Sequence, residues 1–140
     1  VTTPRLTFRR EQRLRGRGVF KEVMDGRARA DGPVIAVHAR PNGGASHRIG
    51  ISIGRRVGAA AVRNRIKRLL REAYRLSQHE LPRDEPAPYD FIIVVRAHEP
   101  LPLEHYRVAF TDAVRHLHST WQKRINRRTT AADRASPRED

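Results

Sequence analysis

The chain has 140 residues, and its 29 Lys+Arg against 15 Asp+Glu leave a formal net charge of +14, which fits one domain of ordinary size with a modest core. It has no cysteine, which excludes a disulfide framework, thiolate zinc sites and thiol catalysis. Hydrophobic residues make up 38%, spread along the chain, so wholesale disorder is not expected.

Residues 1–13 are polar and basic with little periodicity, and read as an extended N-terminal arm. The domain proper is expected over residues 14–121. Around Leu14–Asp25, the residues Phe20, Val23 and Met24 recur at helical spacing, with Gly26 as a stop. Val34–Arg40 reads as a strand, ended by the turn signal Pro41-Asn42-Gly43-Gly44. Arg48–Gly54 alternates, with Ile49, Ile51 and Ile53 on one face and Gly50, Ser52 and Gly54 on the other. An antiparallel hairpin is expected between these two strands. Residues 58–76 form the clearest helix, and 79–89, with three prolines and four charges, a loop. Asp90–Arg96 reads as a fully buried strand. Leu103–Trp121 is a second clear helix, with Tyr106, Phe110, Val114, Leu117 and Trp121 on one stripe. Residues 122–140 read as a basic, frayed and disordered tail. The order is that of an α/β (α+β) two-layer sandwich, helices on a small mixed sheet. The helix between Arg48–Gly54 and Asp90–Arg96 suggests a crossover joining parallel strands.

The positive charge is concentrated. Residues 1–17 carry net +5, residues 55–75 net +7 and residues 122–128 net +4, while everything else sums to −2. Such segregation is what a polyanion-facing surface requires. Solubilising tails would explain the ends but not the middle cluster, which lies inside the folded region. On a helical wheel from Val62, Ile66, Leu69, Leu70, Ala73 and Leu76 fall within about 60° of one direction. Lys67, Arg68, Arg71 and Arg75 lie opposite, and Arg63 and Arg65 flank the stripe. Guanidinium forks suit bidentate bonds to phosphate oxygens. A solvated amphipathic helix would mix both signs, yet Glu72 is the one acid between Gly54 and Gln78. Beside it, Gly50, Ser52 and Gly54 would leave a shallow trough against Phe20 and Met24, suited to stacked single-stranded bases. The same small residues would equally serve close packing of the first helix.

Arg55-Arg56-Val57-Gly58, Ala60 and Arg63-Asn64-Arg65-Ile66-Lys67-Arg68-Leu69-Leu70-Arg71 together resemble the signature of the bacterial ribonuclease P protein subunit. Arg48-Ile49-Gly50-Ile51-Ser52-Ile53 is similar to the family strand that precedes this motif, and Phe20 fits its short first helix. The resemblance spans about residues 5–121 and is specific over 48–75. It implies an α-β-β-β-α-β-α fold with a left-handed βαβ crossover, shared with a domain of a ribosomal small-subunit protein. The general rule for such crossovers is right-handed. It further implies a ribonucleoprotein that removes the 5′ leader of precursor tRNA, with Mg²⁺ held mainly by a catalytic RNA partner. Carried over, Arg55, Arg56, Arg63, Asn64, Arg65, Lys67, Arg68 and Arg71 would contact that RNA. Phe20, Met24, Gly50 and Ser52 would line the leader cleft. Met24 stands where the family often has a second aromatic, and gives softer contact to a base. Ala61 replaces a common Val.

Chemistry by the polypeptide itself is not expected. The acids are scattered, whereas metal-dependent nucleases cluster carboxylates. His116 and His118 diverge on one helix, so zinc is not expected either, and Gly43-Gly44 is a turn rather than a phosphate loop. No organic cofactor, no protein oligomer and no membrane partner are implied. The longest apolar runs are far short of the ~20 residues of a spanning helix, and residues 1–5 lack the apolar core of a secretory signal, so a cytoplasmic location is expected. Two rivals share the charge and size: a ribosomal-type structural RNA-binding protein, and an independent nuclease with a histidine pair. The cluster at 122–128 would add non-specific RNA affinity.

Overall fold

A computed structural model describes residues 12–14, 17–26 and 28–135. Seven principal elements run in the order α1 (Arg17–Asp25), β1 (Arg29–Asp31), β2 (Ile35–Pro41), β3 (Arg48–Ile53), α2 (Ala60–Ser77), β4 (Tyr89–Val95) and α3 (Leu103–Ala135). The four strands form one mixed sheet in the order β1-β2-β4-β3. β2 pairs antiparallel with both β1 and β4, and β3 pairs parallel with β4. The α2 crossover therefore joins parallel neighbours, as the sequence suggests.

The expected hairpin between β2 and β3 does not form, because β4 lies between them. Burial explains the placement. β4 (Tyr-Asp-Phe-Ile-Ile-Val-Val) is covered on both faces along nearly its whole length, and a strand apolar on both sides belongs at the centre of a sheet. β3 leaves Ser52 in solvent, so its alternating pattern suits an edge.

The two faces of the sheet carry different cargo. Ile35, Val37, Ala39, Ile49, Phe91, Ile93 and Val95 face α2 and α3, meeting Ile66, Leu70, Tyr74, Phe110, Val114, Leu117 and Trp121 in the main core. The other face carries α1 through a smaller cluster of Leu14, Val23 and Ile92, with Val19, Phe20 and Val94 beside it. Leu14 is fixed by its N–H donating to the Ile49 carbonyl at 2.8 Å. At the Arg48 end, Asp90 accepts from Arg48 Nε at 2.7 Å and from Asn42 Nδ2 at 2.9 Å. His47 closes the same end. Its Nδ1 accepts the Tyr89 N–H at 2.9 Å, and its Nε2 lies 3.0 Å from the Pro82 carbonyl. Burial holds its pKa below the usual imidazole value, so the ring is neutral and Nε2 donates.

The C-terminal segment departs from expectation. Residues 122–135 are not a disordered tail; α3 runs on through them for 33 residues in all, about 50 Å at the helical rise. No Gly or Pro interrupts residues 103–135, so nothing stops the helix where its apolar stripe ends. Residues 1–11 of the basic arm and 136–140 of the tail lie outside the described residues. Among the described residues no helix is long and apolar enough to cross a membrane.

Candidate nucleic-acid interface

The basic helix α2 enters from the 3-10 turn Arg55–Val57 through Gly58, whose φ of 152° disfavours any residue with a Cβ. Ala59 occupies the N-cap without a side-chain hydrogen bond, and the first turn carries no acid. Its leading N–H groups thus add a positive dipole end to an already cationic helix. Ile66, Leu70, Ala73, Tyr74 and Ser77 are buried against the sheet. Arg55, Arg56, Asn64, Arg65, Arg68 and Arg71 are exposed, while Arg63 and Lys67 are half-buried. Arg65 therefore stands in solvent instead of being gripped at the edge of the apolar stripe, because the burial arc is centred on Ile66 and Leu70 and excludes it. Arg63 is the one held by its surroundings, and its Nε is buried with no partner among the described residues.

Ion pairing separates these cations from the others. Arg29, Arg40, Arg48, Arg75, Arg96, Arg107 and Arg115 each have a carboxylate within 4 Å. Arg55, Arg56, Arg63, Arg65, Lys67, Arg68 and Arg71 have none among the described residues. The one acid on α2, Glu72, is taken by Arg75, whose hydrogen bonds hold that carboxyl below its usual range. Seven cations on one segment without counter-charge repel one another and lower stability, unless a polyanion neutralises them.

On the opposite face, Phe20 lies over Gly50. A Cβ at Gly50 would stand 2.5 Å from Phe20 Cζ and 3.3 Å from Leu14 Cβ, so only glycine lets the ring approach the strand. A groove opens beside this contact, lined by Arg13, Leu14, Phe20, Ile49, Gly50, Ile51 and Arg71. The structure thus brings Phe20 and Gly50 together as expected. It does not bring in Met24, which is 41% exposed near the end of α1. Ser52 lies on the same face, opposite Val94, but beyond the groove and in solvent. The cause is the direction of α1. It packs along Gly50 and Ile92 with Leu14, Phe20 and Val23, which turns Met24 outward.

Arg71, read from the wheel as part of the α2 surface, also lines the Phe20 groove and so connects the two regions. Arg13 and Leu14 reach the groove through the bridge of Arg13 to Ile49, a long-range contact with no signal in the local sequence. His38 carries no such signal either. It is 7% exposed with Nδ1 unpartnered, it pairs with Ile92 across the sheet on the α1 side, and burial depresses its pKa.

A family model described as ribonuclease P matches residues 8–124. The ribonuclease P protein component of Photorhabdus laumondii is 45% identical over 93 residues, covering 66% of this chain and 74% of that protein. That of Haemophilus influenzae is 42% identical over the same shares. Among solved structures, the RNase P protein of Thermotoga maritima superposes with a TM-score of 0.64 at 25% identity, over 73% of this chain and 94% of that one. The Staphylococcus aureus RNase P protein gives 0.63 at 20% identity, over 74% and 93%.

Proposed function

Because this chain belongs to the ribonuclease P protein family, we propose that its two surfaces divide the work of tRNA 5′ maturation, α2 holding the catalytic RNA and the α1 groove holding the 5′ leader of precursor tRNA. The chain is the protein subunit of ribonuclease P and part of an endoribonuclease holoenzyme. In this reading Arg55, Arg56, Arg63, Asn64, Arg65, Lys67, Arg68 and Arg71 contact the catalytic RNA. The observation that carries it is the run of cations without carboxylate partners, since phosphates are the counter-charge such a surface lacks. The Phe20 ring over Gly50, flanked by Arg13 and Arg71, offers a stacking platform with cations at its rim, the combination that holds single strands. Met24 and Ser52 would touch only the outer nucleotides.

The hydrolysis is assigned to the RNA, with Mg²⁺ bound there. Among the described residues no three His, Asp or Glu side chains come together as a metal site. The protein would instead offset phosphate repulsion between the two RNAs and so reduce the Mg²⁺ needed for assembly. In this reading the protein works in the cytoplasm, with RNA and not a membrane as its partner.

The test is single-turnover cleavage of precursor tRNA at limiting Mg²⁺, by a bacterial ribonuclease P RNA with and without this protein. Acceleration only in the presence of the RNA, and greater for long leaders than for leaders of one or two nucleotides, supports both surfaces. RNA binding without any effect on cleavage would leave only a structural RNA-binding role.

A further inference from the structure

The extension of α3 past Trp121 does not hang free of the domain. Trp121 Nε1 donates to the Ala39 carbonyl at 2.9 Å. Arg124 donates to the Gly26 carbonyl at 2.7 Å and lies 4.8 Å from the Trp121 ring centroid, and Gln122 donates to Asp84 at 2.8 Å. The helix is thereby locked to the end of α1, to β2 and to the loop before β4. Beyond this anchor, Lys123, Arg127 and Arg128 are exposed and have no ion pair among the described residues. Residues 122–130 include no acid at all. A solubilising tail needs charge but no fixed position, and this segment has both.

Its position is informative. Arg128 opens on a groove shared with Arg40, Pro41, Pro86 and the C-terminal end of α1. Arg40 pairs with Asp90 across the sheet, two residues from the His38–Ile92 pair, and so belongs to the α1 face. That is the face of Phe20 and Gly50, not the face covered by α2. Glu22 and Asp25 line the α1 wall of the same groove, with Glu22 paired to Arg40. They would push a polyanion away from α1 and toward α3.

We infer that Lys123, Arg127 and Arg128 on the projecting part of α3 form a second phosphate-binding surface, whose ligand is the backbone of the precursor tRNA beyond the nucleotides lying against Phe20. The inference rests on the division of faces proposed above. Lys123 and Arg127, four residues apart, rise by about 6 Å along one side of the helix, and Arg128 is turned about 100° from Arg127 toward the groove, so the first two side chains can meet neighbouring phosphates while Arg128 meets the strand where it enters the groove. The contact is electrostatic and carries no base specificity.

The test uses the protein assembled with a bacterial ribonuclease P RNA, and reads the dependence of log Kd on log salt for precursor tRNA. A second arm reads the same slope for protein binding to the catalytic RNA alone. The triple variant Lys123→Ala/Arg127→Ala/Arg128→Ala is expected to reduce the precursor slope by about 2, at roughly 0.7–0.9 per phosphate contact, and to leave the catalytic-RNA slope unchanged. The double variant Arg127→Lys/Arg128→Lys is expected to keep the wild-type slope, since lysine preserves a point charge. Equal losses in both arms would move the surface to the catalytic RNA and overturn the inference. No loss in either arm, or a lysine variant as weak as the alanine one, would overturn it as well. Failure of the underlying reading is recognised separately, because wild-type protein would then give the assembly no gain in precursor affinity over the RNA alone.

Discussion

Replacing Gly50 by alanine tests whether the Phe20 contact is a binding platform or only a packing contact. The added methyl would meet Phe20 Cζ at 2.5 Å and Cε1 at 2.8 Å, about an ångström inside ordinary van der Waals separation. Something has to move, and the ring is the mobile party, being half-exposed at the far end of its side chain. The fold should therefore lose only about 1 kcal/mol, at the lower end of overpacking costs. Ligand binding should lose far more, because a displaced ring cannot stack. Removal of an aromatic platform costs about 1–3 kcal/mol per base, a loss of about fivefold to about a hundredfold in affinity. The assay compares holoenzyme affinity for precursor tRNA bearing a long leader and bearing one or two leader nucleotides, alongside thermal unfolding of the protein. Gly50→Ala should behave as Phe20→Ala does, weakening only the long-leader substrate. Gly54→Ala is the control, since a Cβ there meets nothing within 4 Å. If Gly50→Ala keeps the full long-leader advantage, or weakens both substrates alike, Phe20 is not the platform.

On α2, Arg65→Ala and Arg68→Ala should each lower the salt slope of catalytic-RNA binding by about 0.7–0.9, while Arg75→Ala, already paired with Glu72, should lower it less; filter-binding titrations over a salt series would show this. The pH dependence of stability follows from His47, whose pKa is depressed chiefly by burial. The unfolded chain then binds more protons than the folded one just below the ordinary imidazole value, so stability is complete above about pH 6.5 and falls as the pH drops toward the lower folded pKa. Urea unfolding between pH 5 and 8 should show this fall, and His47→Gln should flatten it. Phe110→Ala removes a ring buried between Tyr74 and Phe91 and should cost about 3–5 kcal/mol, measured by denaturant titration. Asp90→Ala strips the acceptor from both Arg48 and Asn42 and should cost about 2 kcal/mol, the partly exposed Arg48 recovering some solvation.

Most elements could be read from the chain because their signals are local. The unbroken apolar run of β4 announces a buried strand, and Ile66, Leu70 and Ala73 announce the inward face of α2. Pairing is not local. Nothing in Val34–Arg40 or Arg48–Gly54 says that β4 will part them, and a turn signal such as Pro41-Asn42-Gly43 is compatible with a hairpin or a longer excursion. The end of α3 escapes the local pattern for a related reason. The apolar stripe stops at Trp121, but Gln122 and Arg124 tie the next turn to distant segments, and good helix formers with no breaker carry the helix on from there. At the site, the small face of β3 and the cations of α2 were visible as pattern. Which small residue meets which ring depends on how α1 lies across the sheet, and that angle is set by Leu14, Val23 and Ile92 coming together from distant segments.

The central place of β4 also has a consequence in time. It is the last strand to leave the ribosome, yet β2 and β3 have no sheet partner in common until it arrives. Ile92, on which α1 rests, arrives with it. A nascent chain that has finished β3 and α2 can form the basic helix locally, but it has neither a closed sheet nor a seat for α1. Assembly of the domain therefore waits for non-local contacts, the topology associated with slower folding. The cationic surface of α2 can begin to take shape during synthesis, and the Phe20 groove only after β4 has been inserted.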